Sequence, residues 1–485
     1  MAHHIIGIDL GTSGVRAAIF DDEGRAVAEA SRQYPISTPS PGRAEQDPEA
    51  WWRHTRDCLA EAISSPDVSP GDIAGISFSG QMHGTVFLDA YGVPLHPAVI
   101  WADSRSGSEC REIEEILGGD RLEKTVMNSI FPGTQASTIR WFMRHEPGLW
   151  KRTRHILSPK DYIRFRMCGL YHTEPSDASA TLLFDVPDRD WSEDVLSALN
   201  IPVERLPFVV NSDQHVGDTE GMSDAGVPDG VPLVMGGGDQ PCTALGNGII
   251  DEGAMLVTIG TGGQLFAPSN APITSPGRSL NTFCHVHETR WYVMGATLSA
   301  GLSLRWFRDT AAPGVTFDDL AAEAGTVPPG SDGVLFAPYL AGKRSPDLRP
   351  DAMGAFHGLR ADHGRGHLAR AVMEGVSFDL LENLDVMTGM GLVPERLLCT
   401  GGAARSGLWM RIAADVFDRP VAVAQGENRA CLGAALTAGV GIGVYDSWRD
   451  AVDTAAQLQV SIIEPSPENA ALYRERYEAY LDIVQ

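Results

Sequence analysis

Two aspartates stand where a carboxylate could act on a bound ligand. Asp239 follows Gly236, Gly237 and Gly238, which come after the apolar run Val231 to Met235. A carboxylate at a strand end, beside glycines that let a substrate approach closely, suits a general base acting on a hydroxyl in phosphoryl transfer. The same pattern fits an aspartate that only caps a turn. Asp9 closes the apolar run from His4 and precedes Gly11, Thr12, Ser13 and Gly14. There it would either hold Mg²⁺ while the turn amides approach phosphate, or accept hydrogen bonds within an Asx turn. The Gly-Thr-x-Gly pattern returns at Gly260, Thr261, Gly262 and Gly263, between the apolar runs Ala254 to Ile259 and Gln264 to Ala267. Two strand–turn–strand units half a chain apart would supply two amide nests facing one cleft, able to hold a polyphosphate; two unrelated glycine turns are the alternative.

Other chemistries are excluded or disfavoured by what is missing. No G-x-x-x-x-G-K-[ST] loop occurs and none of the four lysines lies near a suitable turn, so a P-loop is ruled out. The G-x-G-x-x-A match at Gly364, Gly366 and Ala369 follows a loop and reads as a helix entry, and the H-R-D and D-F-G sets of protein kinases are absent. Cys284, His285, His287 and Glu288 suggest a metal cluster, but the two histidines alternate on an expected strand without a second ligand pair and read as packing. The seven cysteines are scattered with no C-x-x-C pair, which fits reduced thiols. Trp101 differs from the other tryptophans in being accompanied by Asp103 and Arg105.

The elements that must hold these groups alternate helix and strand. Val15 to Phe20 resumes after the first turn as a second strand. Asp47 and Pro48 supply an N-cap and a first-turn proline, and Trp51, Trp52, Thr55, Cys58, Leu59 and Ala62 repeat at helical spacing. Ile73 to Gly80 reads as a strand ending at Gln81, Met82 and His83. Arg396 to Thr400, Gly401 and Gly402, Leu408 to Phe417 and Pro420 to Ala424 read as a βαβ unit whose helix N-terminus could face a ligand. The fold class is α/β.

With 485 residues the chain exceeds what one hydrophobic core supports, and two domains are expected, 1–245 and 246–485, with the border near Gly236 to Gly248. Hydrophobic residues at 43% and charged residues at 21% fit a globular protein. A formal charge of −25 argues against nucleic acid as a partner. The start, Met1 to Ile6, has no basic region ahead of an apolar one, and no apolar stretch reaches the about 20 residues a membrane span needs, so a cytoplasmic location is expected.

Together these motifs resemble the FGGY carbohydrate kinases over nearly the whole chain. The opening GIDLGTSGVRAAIFDDEG, SGQMHG at 79–84, IWADSR at 100–105, LSPKDYIRFRMCG at 157–169, MGGGDQ at 235–240, TIGTGG at 258–263 and TGGAARSGLWMRIAAD at 400–415 follow the family's order. The second family signature is matched by Gly354, Phe356, Gly358, Leu359, His367, Leu368, Ala371, Val372, Met373 and Glu374. The resemblance implies two actin-like, ribonuclease-H-like domains around a central cleft, closing on a sugar and MgATP, with the first domain binding sugar and carrying the base and the second binding nucleotide. It implies Asp239 as catalytic base and Asp9 on the metal and phosphate side. Gln81, Met82, His83, Trp101 and Asp103 would face the sugar. Gly11, Thr12, Ser13, Gly260, Thr261 and Gly262 would form the phosphate turns, and Gly401, Gly402 and Ser406 the adenosine side. Met82 and His83 match the branch that phosphorylates the 5-hydroxyl of D-xylulose; another pentulose or a polyol such as ribulose, xylitol or arabitol, and a weakly catalytic sugar-binding regulator, are the alternatives. The expected partners are the sugar and ATP, with a homodimer as the one further association. Four positions depart from the family pattern: Gly262 replaces a serine, Gln240 an asparagine, Lys343 a glutamate and Thr138 a lysine.

Overall fold

A computed structural model describes residues 4–424, 426, 428–456 and 460–484. The chain forms two compact units: Met1–Ile250 with Thr282–Trp291 and Gly426–Gln457, and Asp251–Asn281 with Tyr292–Gln425 and Leu458–Gln485. A single cut between 245 and 246 therefore differs from the packing, because two later segments return to the first unit.

The apolar opening run becomes β1 (His4–Leu10), and the glycine turn joins it to β2 (Gly14–Phe20) and then β3 (Ala26–Gln33). Asp47 caps α1 (Pro48–Ile63) by accepting from the Glu49 amide, and the expected face of that helix is buried. β4 (Ile73–Gly80) follows, and later β5 (His215–Asp218), β6 (Pro232–Val234), β7 (Gly237–Gly238) and α2 (Asp239–Gly246). The sheet runs β5-β6-β4-β1-β2-β3, with β7 also pairing β4. β1, β6 and β7 are all parallel to β4. β1 is buried on both faces, Ile6, Ile8 and Leu10 packing with Trp51 and Leu59 of α1 while Ile5 packs with Leu432 and Leu436. This is why its sequence is a nearly continuous apolar run rather than an alternating one.

In the second unit β8 (Ala254–Ile259) and β9 (Gly263–Ser269) flank the second glycine turn, followed by β10 (Trp291–Thr297) and α3 (Gly301–Ala311). The long α4 (Arg365–Gly389) leads to β11 (Arg396–Thr400), α5 (Gly407–Phe417), β12 (Val421–Ala424) and β13 (Val460–Ile463). These strands, six of the sheet's seven, lie in the order β10-β9-β8-β11-β12-β13. β11 and β12 are parallel with α5 between them, the expected βαβ unit. Val257, Leu265, Val372, Val376 and Ile412 form part of its core. Gly364 enters α4 as its N-cap, as the loop before it suggested.

One local expectation is corrected. His285 and His287 do not alternate on a strand; the strand ends at Cys284, and the two lie in a turn closed by the His285 amide donating to the Arg290 carbonyl at 3.0 Å. The glycine-free, polar stretch His287-Glu288-Thr289-Arg290 reverses the chain where alternation alone suggested continuation. Among the described residues no cluster of three or more metal-ligating side chains exists, and no helix is long and apolar enough to cross a membrane.

Candidate active site

The strand register brings the two aspartates to one end of the first unit's sheet. Asp9 of β1 pairs in register with Ser79 of β4, while Gly237 and Gly238 of β7 pair with Ser79 and Gly80. Asp9 and Asp239 thus flank the carboxyl end of β4 from either side, the end where parallel α/β sheets present ligand-binding loops. Ser79, which sequence reasoning missed, donates to Asp9 Oδ1 at 2.8 Å.

Asp239 is the first residue of α2, not merely a strand-end residue. Burial, with the charge of Asp9 adding to it, pushes its carboxyl up to about 7 despite a 3.4 Å approach of the Gln240 side-chain amide to Oδ1. Burial also raises the Asp9 carboxyl above the usual range, opposed by Ser79 and Arg16. Two half-buried carboxylates with this little compensation favour the arrival of positive charge.

The three glycines before Asp239 are demanded by the protein's own packing. A Cβ on Gly236, whose φ is +85°, would lie 1.9 Å from the Phe78 carbonyl; one on Gly237 would lie 2.3 Å from Val286 and one on Gly238 2.9 Å from Met82. The sequence suggested room for substrate, whereas the structure shows a segment threaded between β4 and its neighbours.

Beside this centre, the first turn is fixed by its carbonyls. Tyr34 donates to the Gly11 carbonyl at 2.6 Å, Gln46 to that of Thr12 at 2.7 Å, and the Tyr34 amide to that of Ser13 at 3.2 Å. Trp101, 38% exposed, donates from Nε1 to Thr12 Oγ1 at 2.9 Å, tying the IWADSR segment to the turn. Gln81 donates to Gln46 at 2.9 Å, and its buried Oε1 has no partner among the described residues. Met82 is buried against Gly238. His83 holds φ at +69°, a strained value for a non-glycine residue, with Nδ1 at 2.8 Å from the Ala180 carbonyl and its ring edge-on to Phe131. Asp103 is the exception: its oxygens accept from the Ala44 amide at 2.7 Å and from the Arg105 amide and guanidinium, while Arg105 reaches on to Glu45 at 2.6 Å. Most of its acceptor capacity is spent inside the protein.

In the second unit a cavity of about 1040 Å³ is lined by Gly260, Thr261, Gly402, Ser406, Arg308 and Phe317, among others. The second turn closes through the Gly260 amide donating to the Gly262 carbonyl at 2.9 Å, and the Gly301 amide at the start of α3 donates to the Gly260 carbonyl at 2.8 Å. Gly401, with φ +90°, turns the chain from β11 into this cavity, and Ser406 caps α5 by accepting from the Trp409 amide at 3.3 Å. The guanidinium of Arg308 lies 4.2 Å from the centre of the Phe317 ring, a pair no sequence signal marked.

Three of the four departures have local packing explanations. A Cβ on Gly262 would sit 2.8 Å from the Thr297 carbonyl, so a serine does not fit this turn without moving β10. Lys343 is buried and pairs with Glu382 at 2.7 Å and Asp347 at 2.6 Å, a setting that a glutamate would turn repulsive. Thr138 is buried in the helix Gln135–His145, where a neutral side chain needs no counter-ion.

A buried ionic cluster behind the aspartates was also missed. Lys160 lies 2.7 Å from Asp161, 3.3 Å from Glu174 and 3.4 Å from Asp177, all without exposed side-chain surface. One signal was present in the sequence, since Lys160 is one of only four lysines and sits inside the LSPKDYIRFRMCG motif.

The model of the FGGY family of carbohydrate kinases, N-terminal domain, matches residues 4–246, and the C-terminal domain model matches 255–442. Xylulose kinase of Bacillus subtilis (strain 168) is 34% identical over 482 residues, covering 99% of this chain and 96% of the relative. Gluconokinase of the same organism is 32% identical over 504 residues, covering 100% of this chain and 96% of its own. The crystal structure of xylulose kinase from Rhodospirillum rubrum superposes with a TM-score of 0.92 at 28% identity, covering 99% of this chain and 98% of that one. This chain belongs to the FGGY family of carbohydrate kinases, with that family's actin-like two-domain fold.

Proposed function

We propose that the protein transfers the γ-phosphoryl group of ATP to the 5-hydroxyl of D-xylulose, giving D-xylulose 5-phosphate and ADP. The observation that carries this reading is Asp239, a half-buried carboxyl raised to about 7 at the start of a helix and across β4 from Asp9. Such a group accepts a proton near neutral pH far better than an ordinary aspartate. Asp239 takes the proton of the sugar hydroxyl as that oxygen bonds to phosphorus and the bond to the bridging oxygen of ADP breaks. The first unit supplies the sugar side through Gln81, Met82, His83 and Trp101, with Asp103 acting by holding Arg105. Gly11, Thr12 and Ser13 form its phosphate turn. The second unit supplies the nucleotide side: Gly260, Thr261 and Gly262 for phosphate, Gly401, Gly402 and Ser406 for adenosine.

Mg²⁺ fits this arrangement: Asp9 is a half-buried carboxylate with one hydroxyl donor, and Mg²⁺ binds through one or two carboxylates plus substrate phosphates. When bound it would neutralise phosphate charge.

The choice of D-xylulose rests on Met82 and His83 and on the xylulose kinase relatives. A different acyclic sugar is the second reading, favoured by Gln240, whose amide lies against the base, and by the nearly equal identity to a gluconokinase. The regulator alternative rests on the serine replaced by Gly262, a replacement for which the close Thr297 carbonyl offers a packing reason. Coupled ADP release with MgATP and a panel of D-xylulose, D-ribulose, L-ribulose, gluconate, glycerol, xylitol and D-arabitol tests this. D-Xylulose should give the highest kcat/KM. Another winner moves the specificity, and silence across the panel with sugar still bound overturns the kinase reading. Asp239→Asn should lower kcat by about 100-fold or more while sugar still binds.

A further inference from the structure

We propose that Glu174, with Lys160 as its counter-ion, is a positioning residue for phosphoryl transfer: through Ser176 and Ser212 it fixes the triglycine segment that carries Asp239. The inference rests on the reading of Asp239 as base. Gly236, Gly237 and Gly238 have no side chains, so nothing but their backbone can be held, and glycine is the residue with most conformational freedom to lose. Both ends of the segment lead to one carboxylate. The Gly238 amide donates to Ser176 Oγ at 3.0 Å, and Ser176 Oγ donates to Glu174 Oε1 at 2.9 Å. The Gly236 amide donates to the Ser212 carbonyl at 2.9 Å, and Ser212 Oγ donates to Glu174 Oε2 at 2.8 Å. Glu174 also accepts from the amides of Ser176 at 2.7 Å and Asp177 at 3.0 Å. It is fully buried and its acceptor capacity is filled.

Lys160 makes that buried charge tolerable. Although burial opposes its own charge, Asp161, Glu174 and Asp177 hold it above the ordinary lysine range. Burial pushes the Asp177 carboxyl well above the usual carboxylate range, ahead of the opposing pull of Lys160. The Lys160 stem touches the site as well: a Cβ on Gly80, the β4 residue paired with Gly238, would lie 2.8 Å from Lys160 Cβ. The cluster therefore sets the place of the chain immediately before the base. A displacement of about 1 Å at a reacting group can cost about 100-fold in rate, so this tether acts on turnover rather than on binding.

The test uses the full-length enzyme with Ser176→Ala, Glu174→Gln, Glu174→Asp and, as reference, Asp239→Asn. kcat, the sugar and ATP KM values and Tm are measured for each. Ser176→Ala removes only one hydroxyl, and kcat should fall about tenfold or more with both KM values within about threefold. Glu174→Gln should behave likewise, and Glu174→Asp should recover part of the rate. Ser176→Ala within twofold of the unmodified kcat, while Asp239→Asn is inactive, overturns the positioning role. A loss of Tm with kcat per folded molecule unchanged overturns it too, since that marks a purely structural contact. Activity retained by Asp239→Asn would instead bring down the base assignment, and with it this inference.

Discussion

Asp379 lies one residue before Leu380, whose side chain packs beneath Gly263 of the second turn, and is fully buried in α4. Burial raises its carboxyl to about 7; the charges of Glu382 and Asp347 add to this, and the nearby Thr297 hydroxyl and the charge of Lys343 oppose it. The phenols of Tyr339 and Tyr480 are raised in turn by burial and by Asp379. Because the folded protein binds this proton more tightly than the unfolded chain, with its ordinary value of 3.8, the contribution of Asp379 to stability is fully present at acid pH and is lost as pH climbs from about 4 through 7. At about 1.4 kcal/mol per unit the penalty is about 1–2 kcal/mol at pH 5 and about 4 kcal/mol at pH 8. Asp379→Asn removes the titration while keeping the size of the side chain. Relative to the unmodified protein, the variant should therefore gain about 2–3 kcal/mol between pH 5 and pH 8. Calorimetric melting of both proteins at pH 5, 6, 7 and 8 reads this as a Tm gap that widens with pH. A gap that stays constant, or narrows as pH rises, refutes the argument.

Gly262→Ser, which restores the family's usual residue, forces a Cβ to within 2.8 Å of the Thr297 carbonyl, and should cost about 1–3 kcal/mol in stability and raise the ATP KM; an unchanged KM and Tm would contradict the packing account. With the Asp239 carboxyl near 7 in the free enzyme, kcat/KM should fall about tenfold from pH 8 to pH 6 because only the ionised form accepts a proton, and a flat profile over that range removes the base's titration from the mechanism. Lys343→Glu places a fourth acidic group with Glu382, Asp347 and Asp379 and should destabilise by about 3–5 kcal/mol, seen as a lower Tm or loss of soluble protein, whereas Lys343→Met should cost less.

Local signals carried far in this chain because the site is built on strand ends and turns. An apolar run that stops at a carboxylate, followed by Gly-Thr-Ser-Gly, is a strand and its turn whatever surrounds it, and β1 and β2 form where the residues require. Asp47-Pro48 fixed the start of α1 for the same reason, since capping is a matter of the nearest few residues. Signals of one period failed where the chain turned without glycine, as at His285 and His287. Asp239 was legible as a carboxylate worth watching, but its place at a helix start was hidden by the proline two residues on, which suits a first turn as well as a loop.

The amino-acid sequence by itself determined the element types around the two turns, the candidate aspartates and the family to which their order belongs. It could not decide which polar groups share a buried space, because that depends on strand register and on segments far apart in the chain. Asp9 meets Ser79 across 70 positions, and Lys160 meets Glu174 and Asp177 only after a helix and a short strand have folded back. Only the tertiary structure showed that the three glycines serve close backbone packing, that Asp103 is occupied by Arg105, and that Lys343 stands among carboxylates. The physical reason is that burial and charge are properties of neighbourhoods in space: they raise Asp239 and Asp379 toward neutrality, and no spacing in sequence reports them.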